Sequence, residues 1–329
     1  MPRKARMKHV VQDSCMHLYN HVACGRKEYP LTNKAKARFM KDVKRLSVFF
    51  QLEIISVAAM SNHFHLCVFC PGDLLSDEEV VRRHNAFYAD NERHPPIEIT
   101  DQHVITHEKV RMHDVSEFMK ELQRGFTHWF NNVIQPGRMG TLWAGRFKST
   151  ILQASEHRAA MGNSALFHCI KYVEMNPLRA GMVDDPGEYE YSTWGISEST
   201  RKHPFEENFL KHMRHILGER GEYMTDEQIK SHLRSKMARS YAVEHAMRTD
   251  KAFKLEQVMN EKDPIVLSVD SKCRYWTDGG IIGSKEFVKE TTLHFQGQEV
   301  AIKHHQAHIH AQHFDDGEFF SFHRLKNTG

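Results

Sequence analysis

The chain has 329 residues, with 45 Lys and Arg against 42 Asp and Glu, a formal charge of +3 and a sequence pI near 8.4. Hydrophobic residues make up 40% and charged residues 26%, a globular balance. A mean hydropathy of −0.58 and the lack of any apolar run near ~18 residues exclude a helical membrane protein, and the composition excludes a collagen-like chain or a disulfide scaffold. The first ten residues, MPRKARMKHV, carry charge without an apolar stretch and predict no secretory signal.

Taken in chain order, residues 14–24 alternate loosely and predict a first strand. Thr32 is a candidate N-cap for a helix over 32–50, where Phe39, Val43, Leu46 and Phe50 recur at spacings of three and four. Residues 52–60, LEIISVAAM, predict a buried strand. The Ser61-Asn62 turn then leads into a second strand over 63–70, paired antiparallel with it. Residues 71–114 are polar, rich in His and broken by Pro95-Pro96, and read as an insertion with one short helix at 77–89. Phe118, Leu122, Phe126, Trp129 and Val133 mark the next helix, which Gln135-Pro136-Gly137 ends. A short strand at 147–153 and a helix over about 156–176 follow, with Pro177 opposing helix from Asn176 onward.

This order, β-α-β-β-α-β-α, predicts an α+β fold: a ferredoxin-like antiparallel sheet with helices on one face. Residues 185–203 read as a linker and 204–260 as a mostly helical C-terminal extension. A glycine-containing turn at 278–283 precedes a helix begun by Ser284, and the His-rich tail 301–329 has no assignable fold.

Basic residues gather in the N-terminal arm, which includes Arg3, and along 34–45, which includes Lys41. Such stripes either track a phosphate backbone or form a solvated helix face. The six cysteines are scattered, and the lone Cys67-x-x-Cys70 lies within an apolar strand, which argues against zinc or redox chemistry and for a reducing, cytoplasmic setting.

The chemistry concentrates in two places. His63 and His65 stand at i and i+2 of a strand, so both imidazoles leave one face while Phe64 enters the core behind them. Two imidazoles can share a divalent metal if oxygen or amide ligands and water complete the shell. Tyr172 and Asn176 share a helix face at i, i+4, with His168 one turn earlier. A metal on the two His and the Asn176 amide would polarise a phosphodiester for attack by the Tyr172 hydroxyl, giving a covalent phosphotyrosine. His308-Ile309-His310 repeats the H-x-H pattern, but in a polar tract with no tyrosine helix after it.

Four linked segments then carry a family resemblance. AAMSNHFHLCVF resembles the MPNHVHLLV strand of HUH single-strand DNA transposases with one catalytic tyrosine. GTLWAGRFKSTIL at 140–152 resembles the G-x-LWQ-x-RFKS segment of their REP-associated branch. CIKYVEMNPLRAGMV at 169–183 resembles that branch's YI-x-x-NPVRAG, and YEYSTW at 189–194 its Y-x-W-S-S. The resemblance covers residues 8–196, which it implies form an HUH catalytic domain with 71–114 inserted, and leaves 204–329 as an extension. Ser61 replaces the usual Pro, and the insertion is longer than the family connection. RYWTDGGIIGSKEFV at 274–288 resembles a motif of C-terminal extensions in larger members.

What the resemblance implies is a transposase. It would cut and rejoin single-stranded DNA beside a hairpin through a 5′-phosphotyrosine, without a nucleotide cofactor and without a membrane, as monomer or homodimer. His63 and His65 match the metal-binding histidines, Tyr172 the nucleophile, and Asn176 the residue completing an Mg²⁺ or Mn²⁺ site. Candidate DNA contacts are Arg124, Arg146, Lys148, Arg179, Lys41 and Arg3. Trp143 is either a base-stacking platform or a core residue. The competing readings are a descendant that binds hairpins without cutting, a relaxase or replication-initiator type HUH nuclease, and a metal-binding protein that uses the His-rich tail.

Overall fold

Alternation in SCMHLYNH builds β1 (Ser14–His21). α1 (Asn33–Phe49) begins at Thr32, whose side chain accepts from the Ala35 N–H, and buries Ala35, Phe39, Val43 and Leu46 along one stripe. β2 (Glu53–Ala59) and β3 (His63–Cys70) form the hairpin, closed by Met60 N–H donating to the His63 carbonyl at 2.9 Å. The computed structural model describes residues 13–25, 28–154, 164–249, 276 and 280–296, with strand residues 313–314, 317–318 and 320–321. Arg3, the start predicted at 156 for the later helix, and His308 to His310 lie outside these.

β3 pairs antiparallel with both β2 and β1, and β1 pairs antiparallel with β4 (Lys148–Leu152). Two C-terminal strands lengthen the same sheet: β5 (Ile281–Gly283), parallel to β4, and β8 (Phe320–Ser321), antiparallel to β5. The sheet order is β2-β3-β1-β4-β5-β8, and the remaining short strands, β6 (His313–Phe314) and β7 (Gly317–Glu318), pair with each other.

Helices cover both faces, not one. On the first, Met16, Leu18, Phe64, Leu66 and Val68 pack under α1, α2 (Asp77–Phe87), α3 (Gln102–His113) and α4 (Val115–Val133). On the second, Cys15, Ala58, Cys67 and Leu152 pack under α5 (Ala165–Arg179), which is backed by α7 (Glu206–Leu217) and α9 (Asp226–Thr249), with the single-turn α8 (Glu219–Glu222) between those two in sequence. The reason is in α5 itself. Most of its residues are buried, more than one sheet contact can cover, so the C-terminal helices must close over its back.

Three further expectations change. The 71–114 segment holds two helices, α2 and α3. The second was hidden because its buried stripe is Ile105, Glu108 and Met112, with Glu108 paired to Arg111 at 3.1 Å. α5 runs past Pro177, which sits in the last turn, where a missing N–H costs one helical bond. Gly181, at φ +65°, closes that helix in the left-handed region. Residues 185–203 are not a linker. They cover the free edge of β2, where Ala59 N–H donates to the Tyr191 carbonyl and Val57 N–H to Thr193 Oγ1, both at 2.9 Å. α6 (Thr193–Thr200) begins there, and Gly195 admits the close approach, since a Cβ would lie 2.0 Å from the Tyr189 carbonyl oxygen. No helix among the described residues is long and apolar enough to cross a membrane.

Candidate active site

The strand alternation sends His63 and His65 to the face covered by α5, and Phe64 to the opposite face, 4.7 Å from the Phe39 ring. The register lines up three more aromatic side chains on that α5-covered face: His21 opposite His63, Tyr19 opposite His65, and His17 one pair further along β1. The His63 and His65 rings lie 4.9 Å apart, nearly perpendicular. Tyr172 reaches them from α5, its ring 5.4 Å from His65 and 5.9 Å from His17. Segments that are remote in sequence thus converge at one point.

Hydrogen bonds fix the proton positions on the imidazoles. Burial lowers His17 from the ordinary 6.5 to about 4, and His63 likewise, so both are neutral near pH 7. His65 is lowered well below the ordinary value, by burial and by its two histidine neighbours. A carbonyl can only accept, so His17 donates from Nδ1 to the Trp276 carbonyl at 2.8 Å. Its Nε2 is then an acceptor, and His65 Nδ1–H donates to it at 2.9 Å. His63 Nδ1–H donates to Asn62 Oδ1 at 2.7 Å. Both members of the H-x-H pair therefore present Nε2 as a lone pair. That of His65 is buried and meets no partner among the described residues.

This fits a metal donor set: two imidazole lone pairs, each held by a hydrogen bond at the other ring nitrogen. Asn176 Nδ2 donates to the Tyr172 carbonyl at 2.8 Å, which leaves Oδ1 as the atom able to coordinate. Among the described residues no group of three or more His, Cys, Asp or Glu is disposed to hold a metal, so an amide would have to supplement the pair. Cys67 and Cys70 point to opposite faces. Cys67 instead meets Cys169 of α5 at 3.4 Å between sulfurs, so the C-x-x-C forms no paired ligand.

Burial pushes the Tyr172 hydroxyl up to about 12, and the positive charge of Arg179 pulls the other way. The Arg179 guanidinium, a predicted DNA contact, lies 5.5 Å from the centre of the Tyr172 ring. Glu174 pins the same helix from its buried side, accepting from Ser56 Oγ at 2.7 Å, from the Trp194 N–H at 3.0 Å and from Thr193. His168 is buried on that helix.

The remaining predicted contacts divide. Arg124 and Arg146 line one cavity of about 740 Å³ with Lys120, His128 and Asn131. The loop carrying Arg146 is fastened to the His63 end of the sheet, through Ala144 N–H to the His21 carbonyl and Asn20 Nδ2 to the Gly145 carbonyl, both at 3.0 Å. Lys148 pairs with Tyr19 in β4 and so stands on the α5-covered face, in the row of His65. Lys41 is not brought to this site, since α1 lies across the sheet from it. Trp143 is a core residue, packed 5.3 Å from Phe64 with its indole N–H donating to the Gln123 carbonyl.

Sequence reasoning missed His17, Tyr19 and Trp276. His17, Tyr19 and His21 recur at period two in β1, a signal that was available. The Trp276 contact, spanning 259 residues, had none.

The buried imidazoles predict acid sensitivity. His17 titrates near 4 and His203, also buried, near 3 when folded, against 6.5 unfolded. Their stabilising effect is complete above pH 6.5 and is lost as pH falls towards 4, because the unfolded chain takes up protons first. The loss is on the order of 3 kcal/mol for His17 and about 5 kcal/mol for His203. Urea midpoints in EDTA should fall steeply from pH 7 to pH 4, and a flat profile would contradict the burial of neutral imidazoles.

No family model matches the chain, and no curated protein matches it. One solved structure found to be similar is that of a REP-associated tyrosine transposase bound to a REP hairpin, at 16% identity and a TM-score of 0.36, covering 62% of this chain and 88% of that one. A likeness at that level assigns neither a family nor an activity.

Proposed function

We propose that the chain is a transposase that cuts and rejoins single-stranded DNA at hairpin-associated sites, with Tyr172 as nucleophile and His63, His65 and Asn176 holding Mg²⁺ or Mn²⁺. The single observation that carries this reading is the buried, unpartnered Nε2 of His65, whose ring lies 5.4 Å from that of Tyr172. The catalytic unit would span 8–196 on the ferredoxin-like part of the sheet, β2-β3-β1-β4, with 204–329 as its extension.

A divalent ion bound there supplies charge neutralisation at the phosphate oxygens and orients the scissile group. The rest falls to the chain. Tyr172 Oη attacks phosphorus and gives up its proton. The phosphorus–O3′ bond breaks and the 3′-oxygen takes a proton, leaving a 5′-phosphotyrosine and a 3′-OH. Attack by a 3′-OH on that ester restores the tyrosine, so rejoining needs no nucleotide cofactor. Arg179 favours the phenolate that burial disfavours. Two nitrogen donors favour Mn²⁺ over Mg²⁺, which prefers oxygen.

The test is incubation of the full chain with labelled single-stranded hairpins from its own gene's flanks, with Mn²⁺ or with EDTA. Mn²⁺-dependent cleavage of single strands, but not of duplex, is expected. Tight binding without cleavage would support a hairpin-binding descendant instead. The cavity lined by Arg124 and Arg146 would take the backbone. Removing both arginines should flatten the slope of log affinity against log salt by about 1.4. An unchanged slope would move the DNA elsewhere.

A further inference from the structure

The proposed site gives no role to His17, a buried histidine in contact with it. His17 is 1% exposed and lies between the C-terminal extension and His65. Its two bonds run in series: Nδ1 to the Trp276 carbonyl at 2.8 Å and Nε2 to His65 Nδ1 at 2.9 Å. The two imidazoles are stacked, 5.1 Å apart and 12° from parallel. The Trp276 ring also lies 6.2 Å from that of Tyr172, so one residue of the extension touches both halves of the site.

We propose that His17 is a positioning residue, which passes the orientation of the Trp276 carbonyl through its own ring to His65, so that His65 keeps its proton on Nδ1 and its lone pair on Nε2. The inference deepens the reading of this site as a metal centre and rests on it. A neutral imidazole carries one N–H and can sit in either tautomer, and only one of them leaves Nε2 able to coordinate. His65 cannot choose by itself, because nothing else among the hydrogen bonds of the site engages its Nδ1. His17 in turn is fixed by a carbonyl, a group with no proton to give. The residues after 204 are thereby part of the catalytic geometry rather than an appendage to it.

The test uses the full chain, with His17→Phe to break the relay and His17→Gln to rebuild it. Gln can donate its amide N–H to the carbonyl and accept from His65 with its oxygen. Mn²⁺ affinity is measured by titration calorimetry, with His63→Ala as control. The His65 tautomer is read in metal-free protein from ¹⁵N-histidine NMR, assigned by comparison with His65→Gln. Expected are a 10- to 100-fold loss of Mn²⁺ affinity in His17→Phe, recovery of most of it in His17→Gln, and an Nδ1-protonated His65 in wild type that loses this state in His17→Phe. Wild-type affinity and an unchanged tautomer in His17→Phe would overturn the proposal. If His63→Ala and wild type bind Mn²⁺ alike, the metal reading falls, and the NMR still decides the relay. Should His17→Phe not fold, the wild-type spectrum is enough, because an Nε2-protonated His65 contradicts the relay outright.

Discussion

Tyr172→Phe is expected to abolish cleavage and strand joining while leaving hairpin binding within about twofold of wild type. The substitution removes one oxygen and keeps the ring, which packs against His65, His17 and Trp276 and lies near the Arg179 guanidinium. None of those contacts needs the hydroxyl. On the proposed reading the affinity would rest on phosphate contacts elsewhere, so it should survive. The reaction loses its only covalent route, and a nucleophile knockout of this type costs on the order of a thousandfold or more. Cleavage and binding measured on the same hairpin would check this, and residual cleavage near the wild-type rate would remove Tyr172 from the mechanism.

His63→Ala should have the second largest effect, loss of all Mn²⁺-dependent cleavage with the fold intact. His63 is half-buried at the start of β3, and its imidazole donates to its neighbour Asn62, so truncation disturbs little packing. It does remove one of the two nitrogen donors, and among the described residues no group of three or more His, Cys, Asp or Glu is disposed to hold a metal instead. On the proposed reading only His65 and Asn176 would remain, too few donors to hold a divalent ion at ordinary concentrations. The same variant should lose Mn²⁺ binding in calorimetry. Unchanged activity in Mn²⁺ would place the metal on other residues.

The legible parts of this protein are those set by local period. The β-branched, apolar run LEIISVAAM and the strand HFHLCVFC marked the hairpin, and the strand period of two put both imidazoles on one face. The three-and-four spacing in α1, and the i, i+4 relation of Tyr172 to Asn176, were equally local. What was illegible depended on partners far along the chain. α3 escaped notice because a paired Glu108 stands at a core position, breaking the apolar stripe. The packing of 185–203 escaped because hydroxyls and carbonyls, not apolar side chains, hold it to the edge of β2. Helices on the second face follow from α7 and α9, whose contact with α5 no spacing announces. His17 was a strand residue like any other until its bonds to His65 and Trp276 were visible.

The reading of the site as a tyrosine nucleophile beside a histidine-held metal meets its most direct test in the covalent intermediate. Full-length protein would be incubated with a single-stranded hairpin and Mn²⁺, denatured, digested with protease and nuclease, and its peptides weighed. The expected result is one peptide spanning Tyr172 that carries a nucleotide through a phosphate, absent in EDTA and absent in Tyr172→Phe. A nucleotide attached at a different residue, or cleaved DNA with no adduct at any stage of the reaction, would contradict the account.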